Sequence, residues 1–198
     1  MIAIIDYDTG NLRSVCNALD RIGAEYVLTD DPKVISQADR VLLPGVGEAS
    51  SAMTKLHERG LCDVIRGLKV PVLGICIGMQ LMCRHSEEGD VGCLGIFDSV
   101  VRKFQADSAS GVKVPHMGWN ALTHLKTGLF DGLSEGDFVY FVHSFYATDC
   151  DDSVIATAEY GKELTAAVQK GNVMGCQFHP EKSGEVGLNI LRAFCEME

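Results

Sequence analysis

The sequence predicts an α/β fold with a central, mixed but mostly parallel β-sheet flanked by helices. Three observations predict it. In the first half, short β-branched runs alternate with segments whose apolar residues recur at helical spacing. Those runs are apolar throughout rather than alternating, as strands covered on both faces require. The second half is rich in strands and closes on a helix, which supplies the mixed part of the sheet. The expectation is one domain over residues 1–198.

The elements follow in order. Residues 1–6 form a buried strand. Residues 11–22 form a helix with Leu12, Val15, Cys16, Leu19 and Ile22 on one face, stopped by Gly23. Residues 25–29 and 41–43 are strands, and the second runs directly into Pro44-Gly45-Val46-Gly47. Residues 50–59 form a helix ending at Gly60, residues 70–75 a strand, and residues 77–85 a helix. Strands follow at 97–104, 119–123, 138–142, 153–159, 164–169 and 173–178. A last helix at 183–197 carries Leu188, Leu191 and Phe194 on one face.

Composition narrows the function classes. Of 198 residues, 46% are hydrophobic and 22% charged, which excludes collagen-like, low-complexity and disordered chains. The net charge of −10 disfavours a nucleic-acid surface and fits a small-molecule enzyme or a subunit docking on a positive face. Only five residues precede the first acid, Asp6, so no secretory leader is expected. The longest apolar stretch, 70–83, is broken by Pro71 and Gln80 and falls short of the roughly 20 residues of a membrane span. The expected location is cytoplasmic, away from any membrane. Eight cysteines are present, but the closest two, Cys76 and Cys83, are seven apart, so no zinc-type pair exists. No metal, cofactor or disulfide framework is expected.

Ligands of such sheets bind beyond the carboxyl ends of the strands, and three loops there carry candidate chemistry. Gly74-Ile75-Cys76-Ile77-Gly78 has the form of a nucleophile elbow with sulfur in place of oxygen. It places Cys76 at a helix N-terminus, where the dipole favours thiolate. The N–H of Ile77 then faces a developing oxyanion. A buried cysteine between two packing glycines is the alternative. In Gln177-Phe178-His179-Pro180-Glu181, His179 and Glu181 point to one side of an extended segment, and Pro180 favours that geometry at His179. His179 could serve as base and Glu181 could orient it; a surface turn is the alternative. The Gly45 and Gly47 backbone could complete an oxyanion hole or cradle a phosphate. His143 is the rival base. His57, His85, His116 and His124 are read as structural or solvent-facing.

Together, G-I-C-I-G-M-Q at 74–80, P-G-V-G at 44–47 and Q-F-H-P-E at 177–181 resemble the class I, triad-type glutamine amidotransferases. The resemblance runs in order over essentially the whole chain. Narrower features are similar to the glutaminase subunits of histidine biosynthesis: Asp6-Tyr7 with Gly10 to Ser14, Pro115 to Asn120, and His179 to Gly184. The resemblance implies a flavodoxin-like fold and a triad of Cys76, His179 and Glu181, with Gly47 and Ile77 as backbone oxyanion donors. It implies glutamine binding by Gly45, Gln80, Glu88, His143, Ser144 and Phe145, which moves His143 from base to pocket wall. It further implies hydrolysis of glutamine through a thioester, with ammonia passed to a separate (β/α)₈-barrel cyclase subunit, HisF, in a heterodimer. Asn11, Arg13, Met117, Trp119, Asn120 and Lys182 would face that partner. Trp119 could instead belong to the core.

Three positions depart from the family pattern. Ile77 replaces a usual Leu, Leu164 a usual Phe, and Asp8 stands where a Gly is typical, possible if the backbone there has positive φ. The competing readings are a glutaminase subunit for another synthase, such as anthranilate or pyridoxal phosphate synthase, a flavodoxin-like cysteine hydrolase, or a non-catalytic binding module.

Overall fold

The computed structural model describes residues 1–8, 11–107 and 111–197. Gly10 of the first-loop motif and the terminal Glu198 lie outside the described residues. In chain order, β1 (Ile2–Ile5), α1 (Leu12–Arg21), β2 (Tyr26–Thr29), α2 (Pro32–Gln37), β3 (Arg40–Leu43), α3 (Ala49–Glu58) and α4 (Leu61–Gly67) build the first half. β4 (Val72–Ile75), α5 (Ile77–Leu81), β5 (His85–Ser86), β6 (Val91–Gly92) and β7 (Val100–Lys103) follow. Then come β8 (His116–Ala121), β9 (Phe138–His143), β10 (Phe145–Thr148), β11 (Val154–Glu159), β12 (Glu163–Lys170), β13 (Val173–Cys176) and α6 (Gly184–Glu196).

The central sheet has seven strands in the order β11-β12-β13-β4-β3-β1-β2. The run from β13 to β2 is parallel, and β11 and β12 join antiparallel at the β13 edge. Every residue of β1, β4 and β13 is buried, the pattern their uniform apolar character foretold. The apolar faces of α1, α3 and α6 close on the same core through Leu19, Leu56 and Leu191.

Several expectations are corrected. The strands expected at 97–104, 119–123 and 138–142 do not join the central sheet. β7 lies in a small sheet of order β10-β7-β5-β6, and β8 pairs only with β9 as a hairpin. Their burial alternates or fades along the strand, with Arg102 and Lys103 exposed, so they face solvent on one side. The helix expected over 77–85 ends at Leu81. Amides of Leu94, Gly95 and Ile96 capture the carbonyls of Leu81, Cys83 and Met82, and this tertiary pairing stops it. Two helices were not anticipated. α2 begins at Pro32 after Asp31, whose carboxylate accepts the Lys33 N–H at 2.8 Å. α4 follows Gly60, a left-handed residue at φ +64° that turns the chain out of α3.

Asp8 adopts φ +66°, the conformation that a family glycine would take there. Its carboxylate pairs with Arg59 at 3.3 Å. Among the described residues, no helix is long and apolar enough to cross a membrane.

Candidate active site

β3, β4 and β13 lie side by side and parallel, so their carboxyl ends deliver three loops to one place. Cys76 follows β4 directly, and its N–H donates to the Cys176 carbonyl at 2.8 Å. It holds φ +53°, ψ −108°, a left-handed backbone that is costly for any side chain with a Cβ. Two glycines make the turn possible. A Cβ on Gly78 would stand 1.8 Å from the Leu43 carbonyl oxygen, and one on Gly74 2.7 Å from the Met79 nitrogen. The elbow therefore packs backbone against backbone, with Cys76 at its tip, 5% exposed. Ile77 opens α5, so its N–H belongs to the first turn, which lacks intrahelical acceptors.

His179 leaves β13 extended, at φ −104°, ψ 97°. Its N–H donates to the Tyr140 carbonyl at 2.9 Å, and the Ser183 hydroxyl donates to its carbonyl at 2.6 Å. The ring Nδ1 meets Glu181 Oε1 at 2.7 Å, with both side chains 3% exposed. With Nδ1 turned to Glu181, Nε2 is the ring nitrogen left for the Cys76 side chain. Burial pushes the imidazole pKa down, but hydrogen bonds to Cys76 and Glu181 and their charges outweigh it. The pKa rises to about 9.

Cys76 and His179 open into a cavity of about 400 Å³. Gly47, Ile77, Gln80, Glu88, His143, Ser144 and Phe145 line it with them, so most sequence-named binding residues meet at one place. Gly45 does not line it. A Cβ there would meet the Tyr7 hydroxyl at 2.7 Å and Ile77 Cβ at 3.0 Å, so Gly45 serves packing beneath the loop. Glu88 accepts the Ala49 N–H at 2.9 Å through Oε2, and burial raises its carboxyl pKa despite that bond. Gln80 is 1% exposed and donates through Nε2 to the Phe145 carbonyl and to Gln177 Oε1, both at 2.9 Å. Its Oε1 is buried with no protein partner among the described residues.

His143 is held at both ring nitrogens. Its Nδ1 lies 2.7 Å from the Phe145 carbonyl and its Nε2 3.0 Å from His116 Nδ1, so both nitrogens are engaged. Burial, chiefly, depresses its pKa to about 3, and that of His116 to about 4. His57 on α3, His85 on β5 and His124 lie away from the cavity lining.

Sequence reasoning missed two residues. His116, read from the sequence as structural or solvent-facing, is buried on β8, directly opposite His143. Gln177 is fully buried with Nε2 3.6 Å from Cys76 Sγ. Its signal was present: in an extended segment, Gln177 shares the face of His179. The residues named for a partner surface separate into two groups. Met117 and Trp119 are exposed at 61% and 55%, and Asn11 and Arg13 are exposed at the start of α1. Trp119 is therefore not core. Asn120 instead turns to the other face of the hairpin and donates to the Glu159 carbonyl at 2.8 Å. Lys182 lines the cavity itself.

A family model described as glutamine amidotransferase class-I matches residues 3–197. The protein of Bacteroides thetaiotaomicron named imidazole glycerol phosphate synthase subunit HisH is 49% identical over 196 residues, covering 99% of both chains. The Bacillus cereus protein of the same name is 49% identical over 200 residues, covering 98% of this chain and 93% of that one. Among solved structures, one described as a glutamine amidotransferase superposes with a TM-score of 0.75 at 20% identity, covering 99% and 98% of the two chains. That likeness shows the fold.

Proposed function

The chain belongs to the class-I glutamine amidotransferases, and on that premise we propose that it is the glutaminase subunit of an imidazole glycerol phosphate synthase. The observation that carries the assignment of residues is the buried 2.7 Å pair of His179 and Glu181 in the same cavity as the Cys76 elbow. In this reading Cys76 sulfur attacks the carboxamide carbon of glutamine, and the carbon–nitrogen bond breaks. His179, oriented by Glu181, holds the thiol proton and delivers it to the departing ammonia. The N–H groups of Ile77 and Gly47 take the charge of the tetrahedral oxyanion. Water then attacks the thioester, gives a proton to His179, and releases glutamate with Cys76 restored.

Gln80 and Glu88 hold the substrate, with Glu88 the counter-charge for its α-ammonium. His143, Ser144 and Phe145 wall the pocket. Ammonia freed into neutral water would become ammonium, which is no nucleophile. It passes instead to a cyclase partner, HisF, docked over Met117, Trp119 and Lys182, with Asn11 and Arg13 at the rim. The heterodimer works in the cytoplasm as a single-domain glutaminase on its cyclase.

The test is glutamate formation from glutamine, with and without a cyclase subunit and its nucleotide, using Cys76→Ala as control. Turnover that rises with the partner and vanishes in the variant is the expected result. Turnover indifferent to that partner would keep the glutaminase and discard the synthase. No turnover at all would return Cys76 to a packing role.

A further inference from the structure

Gln177 and His116 stand at the two sides of one hydrogen-bonded chain. It begins at Asn120 on the hairpin, whose Nδ2 is 3.4 Å from His116 Nε2. His116 Nδ1 is 3.0 Å from His143 Nε2, and His143 Nδ1 is 2.7 Å from the Phe145 carbonyl. That carbonyl also accepts from Gln80 Nε2, which in turn reaches Gln177 Oε1. Gln177 Nε2 ends the chain 3.6 Å from Cys76 Sγ. We propose that His116 and Gln177 are positioning residues of the glutaminase site: His116 holds the Phe145 wall of the pocket, and Gln177 holds the nucleophilic sulfur. The inference rests on the glutaminase reading.

The Phe145 carbonyl sets every direction in the chain, because a carbonyl can only accept. His143 must donate to it through Nδ1, so a neutral His143 accepts at Nε2. His116 must then donate through Nδ1 and accept from Asn120 at Nε2. On the other side Gln80 gives both amide hydrogens, one to Phe145 and one to Gln177 Oε1. Gln177 is thereby turned so that its N–H, rather than its carbonyl, faces sulfur. A reversed Gln177 amide would set two N–H donors against each other and its oxygen against sulfur. The members are too buried for water to substitute: Gln177 is 0% exposed, Gln80 1%, His116 3% and His143 6%. His116 is also clamped between rings, 4.7 Å from Phe141 and 3.9 Å from Tyr160, so its orientation does not drift.

The chemistry of each end follows. An N–H aimed at sulfur favours the anion and fixes the direction from which it attacks. A carbonyl held by two donors keeps the Phe145 wall at one distance from the substrate. Loss of Gln177 should therefore act on the chemical step, and loss of His116 on substrate binding.

The experiment uses the chain with its cyclase partner and nucleotide. His116→Phe keeps the ring stack and removes both nitrogens. His116→Asn restores a donor near the place of Nδ1. Gln177→Met keeps the shape and removes the donor. His116→Phe should raise the glutamine KM about tenfold with kcat changed less than about threefold, and His116→Asn should recover most of it. Gln177→Met should lower kcat about tenfold or more and leave KM near the wild-type value. It should also slow alkylation of Cys76 by iodoacetamide, read peptide by peptide by mass spectrometry. Equal losses in His116→Phe and His116→Asn would reduce His116 to packing and overturn its part. Wild-type alkylation and kcat in Gln177→Met would overturn the other part. A wild-type complex that makes no glutamate would instead sink the glutaminase reading itself, and the alkylation rates judge Gln177 independently of it.

Discussion

Gly78 and Leu43 touch backbone to backbone: a Cβ on Gly78 would stand 1.8 Å from the Leu43 carbonyl oxygen. This contact lets the turn after β4 lie flat on the end of β3 and lifts Cys76 into the cavity. Leu43 cannot retreat, because β3 is held between β1 and β4. Gly78→Ala should therefore destabilise the chain by about 3 kcal/mol, the upper part of the range for an overpacked core. Urea unfolding would measure it. A loss below about 0.5 kcal/mol, the size of an ordinary surface change, would mean the turn can open without cost.

In the proposed mechanism Glu181 acts on the substrate only through His179, which it meets at 2.7 Å. Glu181→Gln keeps a side chain of the same shape but removes the charge that orients and stabilises the imidazolium. Partner-dependent kcat should fall by about two to four orders of magnitude, with a much smaller change in KM. Steady-state glutamate assays on the complex check it; an unchanged kcat would remove Glu181 from the catalytic set.

The buried histidines set opposing pH limits on stability. His116 and His143 are depressed to about 4 and about 3, against 6.5 for an ordinary imidazole. Below pH 6.5 the unfolded chain therefore takes up about two protons that the folded chain refuses. The stability from keeping them neutral is complete above pH 6.5 and is lost as pH falls toward 4. His179 carries the opposite sign. Raised to about 9, it contributes stability that is complete below pH 6.5 and lost as pH rises through 9. Denaturant midpoints measured across pH should decline on both sides, with a shallower acid limb in His116→Phe. An acid limb of the same slope in wild type and variant would contradict the assignment.

Trp119 is the sole tryptophan, 55% exposed and edge-on to Tyr140 at 6.0 Å. In the proposed complex it meets the cyclase. Trp119→Ala should change stability by less than about 0.5 kcal/mol and weaken cyclase binding by about 2 kcal/mol or more. Denaturation and titration calorimetry give the two numbers. Wild-type emission should shift to the blue as the cyclase is added, and a spectrum indifferent to the cyclase would place the docking surface elsewhere.

The parallel half of the fold was legible because its signals are local. β1, β3 and β4 announce burial on both faces by unbroken apolar runs, and α1 by the spacing of Leu12, Val15 and Leu19. The elbow was legible for the same reason: glycines two residues either side of Cys76 describe a turn with room for a close neighbour. Pro180 made the extended geometry of His179 readable, and the 2.7 Å contact with Glu181 follows from their alternation. Strands in the second half could be counted but not assigned. A period-two segment looks alike whether its partner is the central sheet or a hairpin, and pairing is a contact between distant residues. The short α5 was misread because the amides that end it come from residues 94–96.

By itself, then, the sequence determined the fold class, the family, the elbow and which residues are proposed as nucleophile, base and orienting acid. Each of these is written in residues adjacent along the chain. Tertiary structure alone decided which histidines are neutral, that Gly45 packs under the loop while Gln80 and Glu88 face the cavity, and that Asn120 turns inward while Trp119 turns out. It alone brought Gln177 to the sulfur of Cys76, 101 positions away. The reason is physical: burial, hydrogen-bond partners and side-chain direction belong to pairs of residues that meet only when the sheet is assembled, and no local pattern records who the other member will be.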